Sequence, residues 1–106
     1  MDLGELQGEL VPWTEHNFPD AESWHALLGV QEESGELAHA HLKGVDGTRP
    51  NEDQRAQKID AVADIVIFLA NYCNLEGINM TDAVTKTWAE VKKRDWRVEL
   101  EGTTRP

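Results

Sequence analysis

The chain has 106 residues, 40% of them hydrophobic, enough for one small domain. Ten basic against twenty acidic side chains leave a formal charge of −10, which repels phosphate-rich surfaces and argues against nonspecific binding to nucleic acid or anionic membrane. A single cysteine excludes an internal disulfide framework and fits a reducing cytoplasm; no apolar run reaches the ~18–20 residues of a membrane span, and the opening MDLGELQGEL lacks the basic and apolar regions of a secretion signal. The expectation is a cytoplasmic protein with one domain over residues 1–98 and a frayed tail over 99–106.

Taken in chain order, the segments carry helical periodicity. Leu3, Leu6, Leu10 and Trp13 recur at spacings of three and four and predict an amphipathic helix over residues 3–14. Asn17-Phe18-Pro19 breaks it, because the residue before a proline is pushed out of the helical region. Asp20 then offers an N-cap for a second helix from about Ala21 to Lys43, stopped by Gly44. GVDGTRPNED, over 44–53, reads as a loop. A third helix opens near residues 52–54 and runs to Gly77; it is apolar nearly all round, which predicts burial within a bundle. Thr81 caps a fourth, from Asp82 to about Trp96, with Val84, Trp88 and Val91 on its inner side. Four helices joined by short connections predict an all-α, four-helix bundle.

At 100° per residue the second helix divides in two. Trp24, Leu27, Leu28, Gln31, Gly35, Ala38 and Leu42 share one side, extended by Val30 and Leu37. Glu32, Glu33, Glu36, Ala40 and Lys43 lie on the opposite arc. Three glutamates so close repel one another, and alone they read as a solvated face. The third helix supplies their partner: a narrow polar stripe of Gln57, Asp60, Asp64, Asn71 and Asn74 on an otherwise apolar rod. Asp64, between Ala63 and Ile65, is hard to explain by solvation, since an ionised aspartate in a buried helix is costly unless paired or coordinated. Arg49, Arg55, Lys58, Lys86 and Lys93 could pair with it. Alternatively Asp60 and Asp64 face Glu33 and Glu36 across a helix pair, and this cage of hard oxygens selects Mg²⁺, or Mn²⁺ in its place, over zinc.

Glu32-Glu33-x-x-Glu36 on one helix, followed by an acidic pair ending in Asp64-Ile65-Val66 on the next, resembles the MazG-like nucleotide pyrophosphohydrolases. The similarity extends from Asn17-Phe18 through Gly35-Glu36-Leu37 to Lys92-Lys93-Arg94-Asp95-Trp96. The family motif is Glu-Glu-x-x-Glu followed by Glu-x-x-Asp; Ala61 stands where the second glutamate is expected, with Asp60 beside it as a substitute. The resemblance implies a four-helix bundle of the MazG-like type and Mg²⁺-dependent cleavage of nucleoside triphosphates, noncanonical or deoxy forms among them, to a monophosphate and pyrophosphate. It implies Glu33, Glu36 and Asp64 as metal ligands, with Asp60 standing in for the missing glutamate, and Glu32 either as a further ligand or, like Glu33, as the group that activates water. Phosphoryl transfer rests on positioning and charge neutralisation, so no nucleophilic side chain is needed.

Lys86, Lys93 and Arg97 form a stripe on the fourth helix that could hold the outgoing pyrophosphate. Asn71 could touch sugar or base, and Phe18, Trp13 and Trp24 could stack on a base, although bundle core is the simpler place for Trp24. Cys73 reads as buried core. His39 and His41 cannot share a metal, being two apart on a helix. A thin bundle with apolar positions on several sides of the third helix predicts a homodimer or homotetramer that buries this helix between protomers. Two other readings remain: a weakened homologue that binds nucleotide or metal without turnover, and an acidic helical interaction protein.

Overall fold

The computed structural model describes residues 1–47 and 53–98. The expected tail at 99–106, part of the 44–53 loop and Arg49 lie outside the described residues. Within them the chain is all helical, with α1 at Leu3–Asn17, α2 at Ser23–Asp46, α3 at Gln54–Leu75 and α4 at Met80–Val91.

Local hydrogen bonds set the helix ends. The Asp2 carboxylate accepts the Glu5 amide at 2.8 Å and starts α1, which runs through Pro12 to Asn17, beyond the expected end at residue 14. The sequence places the start of α2 at Ala21 behind Asp20; it opens at Ser23 instead, where the Glu22 amide donates to His25 Nδ1 at 2.9 Å. This helix also continues past Gly44 to Gly47, whose φ of 68° is the left-handed conformation that glycine adopts without a Cβ penalty. Asp53 caps α3 by accepting the Ala56 amide at 3.0 Å, and Gly77 follows its end with the same positive φ. Asn79, not Thr81, caps α4 by accepting the Asp82 amide at 3.0 Å. Contrary to the expected end near Trp96, α4 stops at Val91. Asp95 accepts the Arg97 and Val98 amides at 3.1 and 3.2 Å and nucleates a separate turn over residues 96–98.

At the centre lies α3, with α2 along one side, α1 along another, and α4 packed on α1 after a bend of 106° from the α3 axis. The α2–α3 contact is built from small residues: Ala26, Gly29 and Ala40 on one arc of α2, with Ala61 on α3, are all buried. Small side chains at a crossing let helix axes approach closely. The Phe68 ring fills the space over Gly29, where an added Cβ would lie 2.4 Å from its Cδ1 atom.

On the other side of α3, Leu10, Ala70, Cys73 and Met80 form one cluster, with Leu3 and Leu6 against it. Cys73 is therefore buried core, as expected, and burial pushes its thiol pKa up. Gln7 locks this corner. Its side-chain amide donates to Asn74 Oδ1 at 3.0 Å and to the Ile78 carbonyl at 2.9 Å, and accepts the Met80 amide at 2.9 Å. Asn74 in turn donates to the Gln7 carbonyl at 2.9 Å. One residue thus ties α1 to the end of α3 and the start of α4.

Three burial expectations fail for a common reason. Trp24 is 51% exposed rather than core, Val84 and Trp88 on α4 face outward, and α3 leaves Ile59 and Val62 more than half exposed. Each helix in a chain this thin has too few neighbours to cover more than one or two of its faces. Among the described residues no large side chain is fully buried. No single described helix is long and apolar enough to cross a membrane.

Two stability outcomes follow from this packing. Gly29→Ala is expected to cost about 1–3 kcal/mol through overpacking, and urea denaturation should show much of the loss recovered in a Gly29→Ala/Phe68→Leu double variant. Gln7→Met strands the Met80 amide and the Ile78 carbonyl, and should cost about 1–3 kcal/mol in the same assay.

Candidate active site

The arc of α2 that carries the glutamates is the arc that meets α3. Ala40 lies between Glu36 and Glu33 on the wheel and is buried. Docking on these small residues draws the acidic flank of α2 toward the polar stripe of α3. The result is a cleft of about 280 Å³, walled by Glu33, Glu36, His39 and Lys43 from α2 and by Gln57, Asp60, Ala61 and Asp64 from α3. The expected juxtaposition of Glu33 and Glu36 with Asp60 and Asp64 across a helix pair is thus present.

Crowded carboxylates change one another's titration. Partial desolvation first, then the charges of Glu36 and Asp64, a hydrogen bond with Glu36 and the charge of Glu32, hold the Glu33 carboxyl above its ordinary value. The groups that raise it identify its neighbours. Glu33 and Asp64 are half-buried, whereas Glu36 and Asp60 are exposed at the rim. Among the described residues, no three acid, histidine or cysteine side chains are already drawn together tightly enough to hold an ion. The donors nonetheless suit a hard divalent cation: all-oxygen, on two helices, and mutually repelling until neutralised.

Asp64 has a second role in the architecture. Its other side lines an adjoining cleft of about 670 Å³, bordered by Leu10, Trp13, Phe18, Ile67, Phe68 and Asn71. Trp13 and Phe18 meet edge to face there, with ring centroids 5.8 Å apart and planes at 63°. Asn71, in the wall of this cleft, carries a buried Oδ1 that no hydrogen bond satisfies. An acidic pocket and an aromatic pocket with an orphaned acceptor therefore share one aspartate as a wall.

The remaining expected site residues fall elsewhere. Glu32 is exposed and does not line the cleft, reaching it only through its charge on Glu33. Lys86, Lys93 and Arg97 do not line either pocket. The expected basic stripe is broken, because α4 ends at Val91 and Asp95 starts a new turn before Arg97; Lys93 pairs with Glu90 at 3.3 Å. Asn74 belongs to the Gln7 clamp. Lys43 instead brings the positive charge to the acidic cleft. The sequence signal for it was present, as it shares the glutamate arc, seven residues beyond Glu36.

The Glu33 shift has a stability consequence. A carboxyl whose pKa is raised by folding binds its proton more tightly in the folded state, so its contribution is present at low pH and is lost as pH rises from 4.5 through the raised value. With chelator present, Glu33→Gln is expected to melt at a higher temperature than wild type at pH 7. The two should converge toward pH 4, as calorimetry across that range would show. In comparison with known proteins, no family model, no curated protein and no solved structure matches the chain.

Proposed function

We propose that the chain is a Mg²⁺-dependent nucleoside triphosphate pyrophosphohydrolase, with the triphosphate over the acidic cleft and the base in the aromatic one. The carrying observation is the shared wall: Asp64 borders both the polyanionic pocket and the pocket holding Trp13, Phe18 and Asn71. A nucleotide has the matching duality, a polyanion joined to a flat aromatic group with hydrogen-bond donors. The resemblance of Glu32-Glu33-x-x-Glu36 and Asp64 to the MazG-like motif supports the same reading.

Glu33, Glu36, Asp60 and Asp64 would hold the cation. When bound, Mg²⁺ offsets the triphosphate charge that a chain of net charge −10 otherwise repels, and makes a nearby water more acidic. Water attacks the α-phosphorus, the α–β phosphoanhydride bond breaks, and pyrophosphate departs. Glu33 or Glu32 would take the water's proton. Lys43 flanks the phosphates. Asn71, in the wall of the aromatic cleft, would contact the base.

Ala61 favours a second reading, a homologue that binds nucleotide and cation with little turnover. It is 3% exposed and lines the cleft, so no carboxylate stands at that point. Pyrophosphate release from a panel of canonical and modified nucleoside triphosphates separates the two. The hydrolase reading predicts turnover with Mg²⁺ or Mn²⁺, none with EDTA, and a loss of at least about 100-fold in Asp64→Asn and Glu36→Gln. Turnover indifferent to EDTA would overturn it. Nucleotide binding without turnover, rescued by Ala61→Glu, would establish the second reading.

A further inference from the structure

The face of α2 directed away from α3 carries a pattern that nothing within the chain uses. Trp24, Leu28, Gln31, Gly35, Ala38, Leu42 and Val45 follow one another at spacings of four, three, four, three, four and three. This is coiled-coil spacing over three heptads, with large apolar residues at both ends and the smaller or polar Gln31, Gly35 and Ala38 in the middle. It is uncovered along its length: Trp24, Leu28, Leu42 and Val45 are 51–71% exposed, and Leu27 beside them is 44% exposed. The indole of Trp24 is held in place, donating to Glu22 Oε2 at 2.6 Å and stacked on His25 at 3.8 Å.

We propose that two copies of this chain pair antiparallel through this face of α2. The five large side chains leave on the order of 500 Å² exposed, at the upper end of what a monomer shows in one patch. With the intervening Gln31, Ser34, Gly35, Ala38 and His41, the stripe approaches the ~800 Å² that each partner contributes to a standard interface. The seam is self-complementary in size: a two-fold axis between Gly35 and Ala38 places small residues where the backbones come closest. It sets Leu28 of each copy against Val45 of the other, and Gln31 against Leu42. Antiparallel pairing also opposes the two helix dipoles. This surface is distinct from α3, which the sequence alone favours as the buried element between protomers, and the inference does not depend on the hydrolase reading.

Sedimentation equilibrium should find wild type at twice 11.9 kDa at micromolar concentration. Leu28→Glu/Leu42→Glu should weaken the dimer by about 100-fold or more with unchanged helical circular dichroism, since both side chains are exposed in the single chain. A second arm does not depend on that variant folding. A mixture of Leu28→Cys and Val45→Cys proteins should form a disulfide between copies, whereas Leu28→Cys alone should not, its two thiols lying about 25 Å apart along an antiparallel pair. A monomeric wild type, a dimer indifferent to the two glutamates, or ready self-crosslinking of Leu28→Cys would each overturn the proposal.

Discussion

The close approach of α2 to α3 is the constraint on which the rest of the molecule depends. It rests on Ala26, Gly29 and Ala40 falling on one arc of α2 and on Ala61 of α3, with the Phe68 ring seated over Gly29. Any residue larger than glycine at position 29 would meet the Phe68 ring. The flanks of this narrow contact carry the acids.

The same choice of face accounts for both the site and the exposed stripe. A helix with acids on one arc and Trp24, Leu28 and Leu42 on the other is ordinarily expected to bury the second arc. Here the first faces the neighbour, because that arc also holds the small residues. Carboxylates are thereby partly desolvated against one another, which is unfavourable until a cation or protons relieve it. The apolar arc is left facing outward, which is equally unfavourable until a second surface covers it. Site and outer seam are two consequences of one helix orientation.

Elsewhere, polar side chains act as fasteners rather than chemistry. Gln7 and Asn74 join α1 to the α3–α4 corner through four hydrogen bonds. Those bonds position α1, and with it Trp13 and Phe18, over the aromatic cleft beside Asp64. Asn71, one helical turn before Asn74, occupies a similar register but has no such partner for its Oδ1 atom. Two asparagines on one stripe thus divide into a structural residue and a candidate binding residue according to what α1 brings to each.

The sequence by itself determined that the chain is all helical, where four helices fall to within a few residues, and which residues share each face, because a 3.6-residue period is a local property. It also put Glu33 with Glu36 and Asp60 with Asp64, since their spacing sets each pair on a single face; that the two faces meet was one of two expectations. Only the tertiary structure decided which face each helix covers. Periodicity distinguishes two sides of α2 but gives neither of them a partner; steric fit between small residues did that, against the plain hydrophobic expectation. The failure of the Lys86, Lys93 and Arg97 stripe has the same origin: a shared face requires one continuous helix, and the Asp95 carboxylate ended that continuity through hydrogen bonds that compete with the helix for the chain.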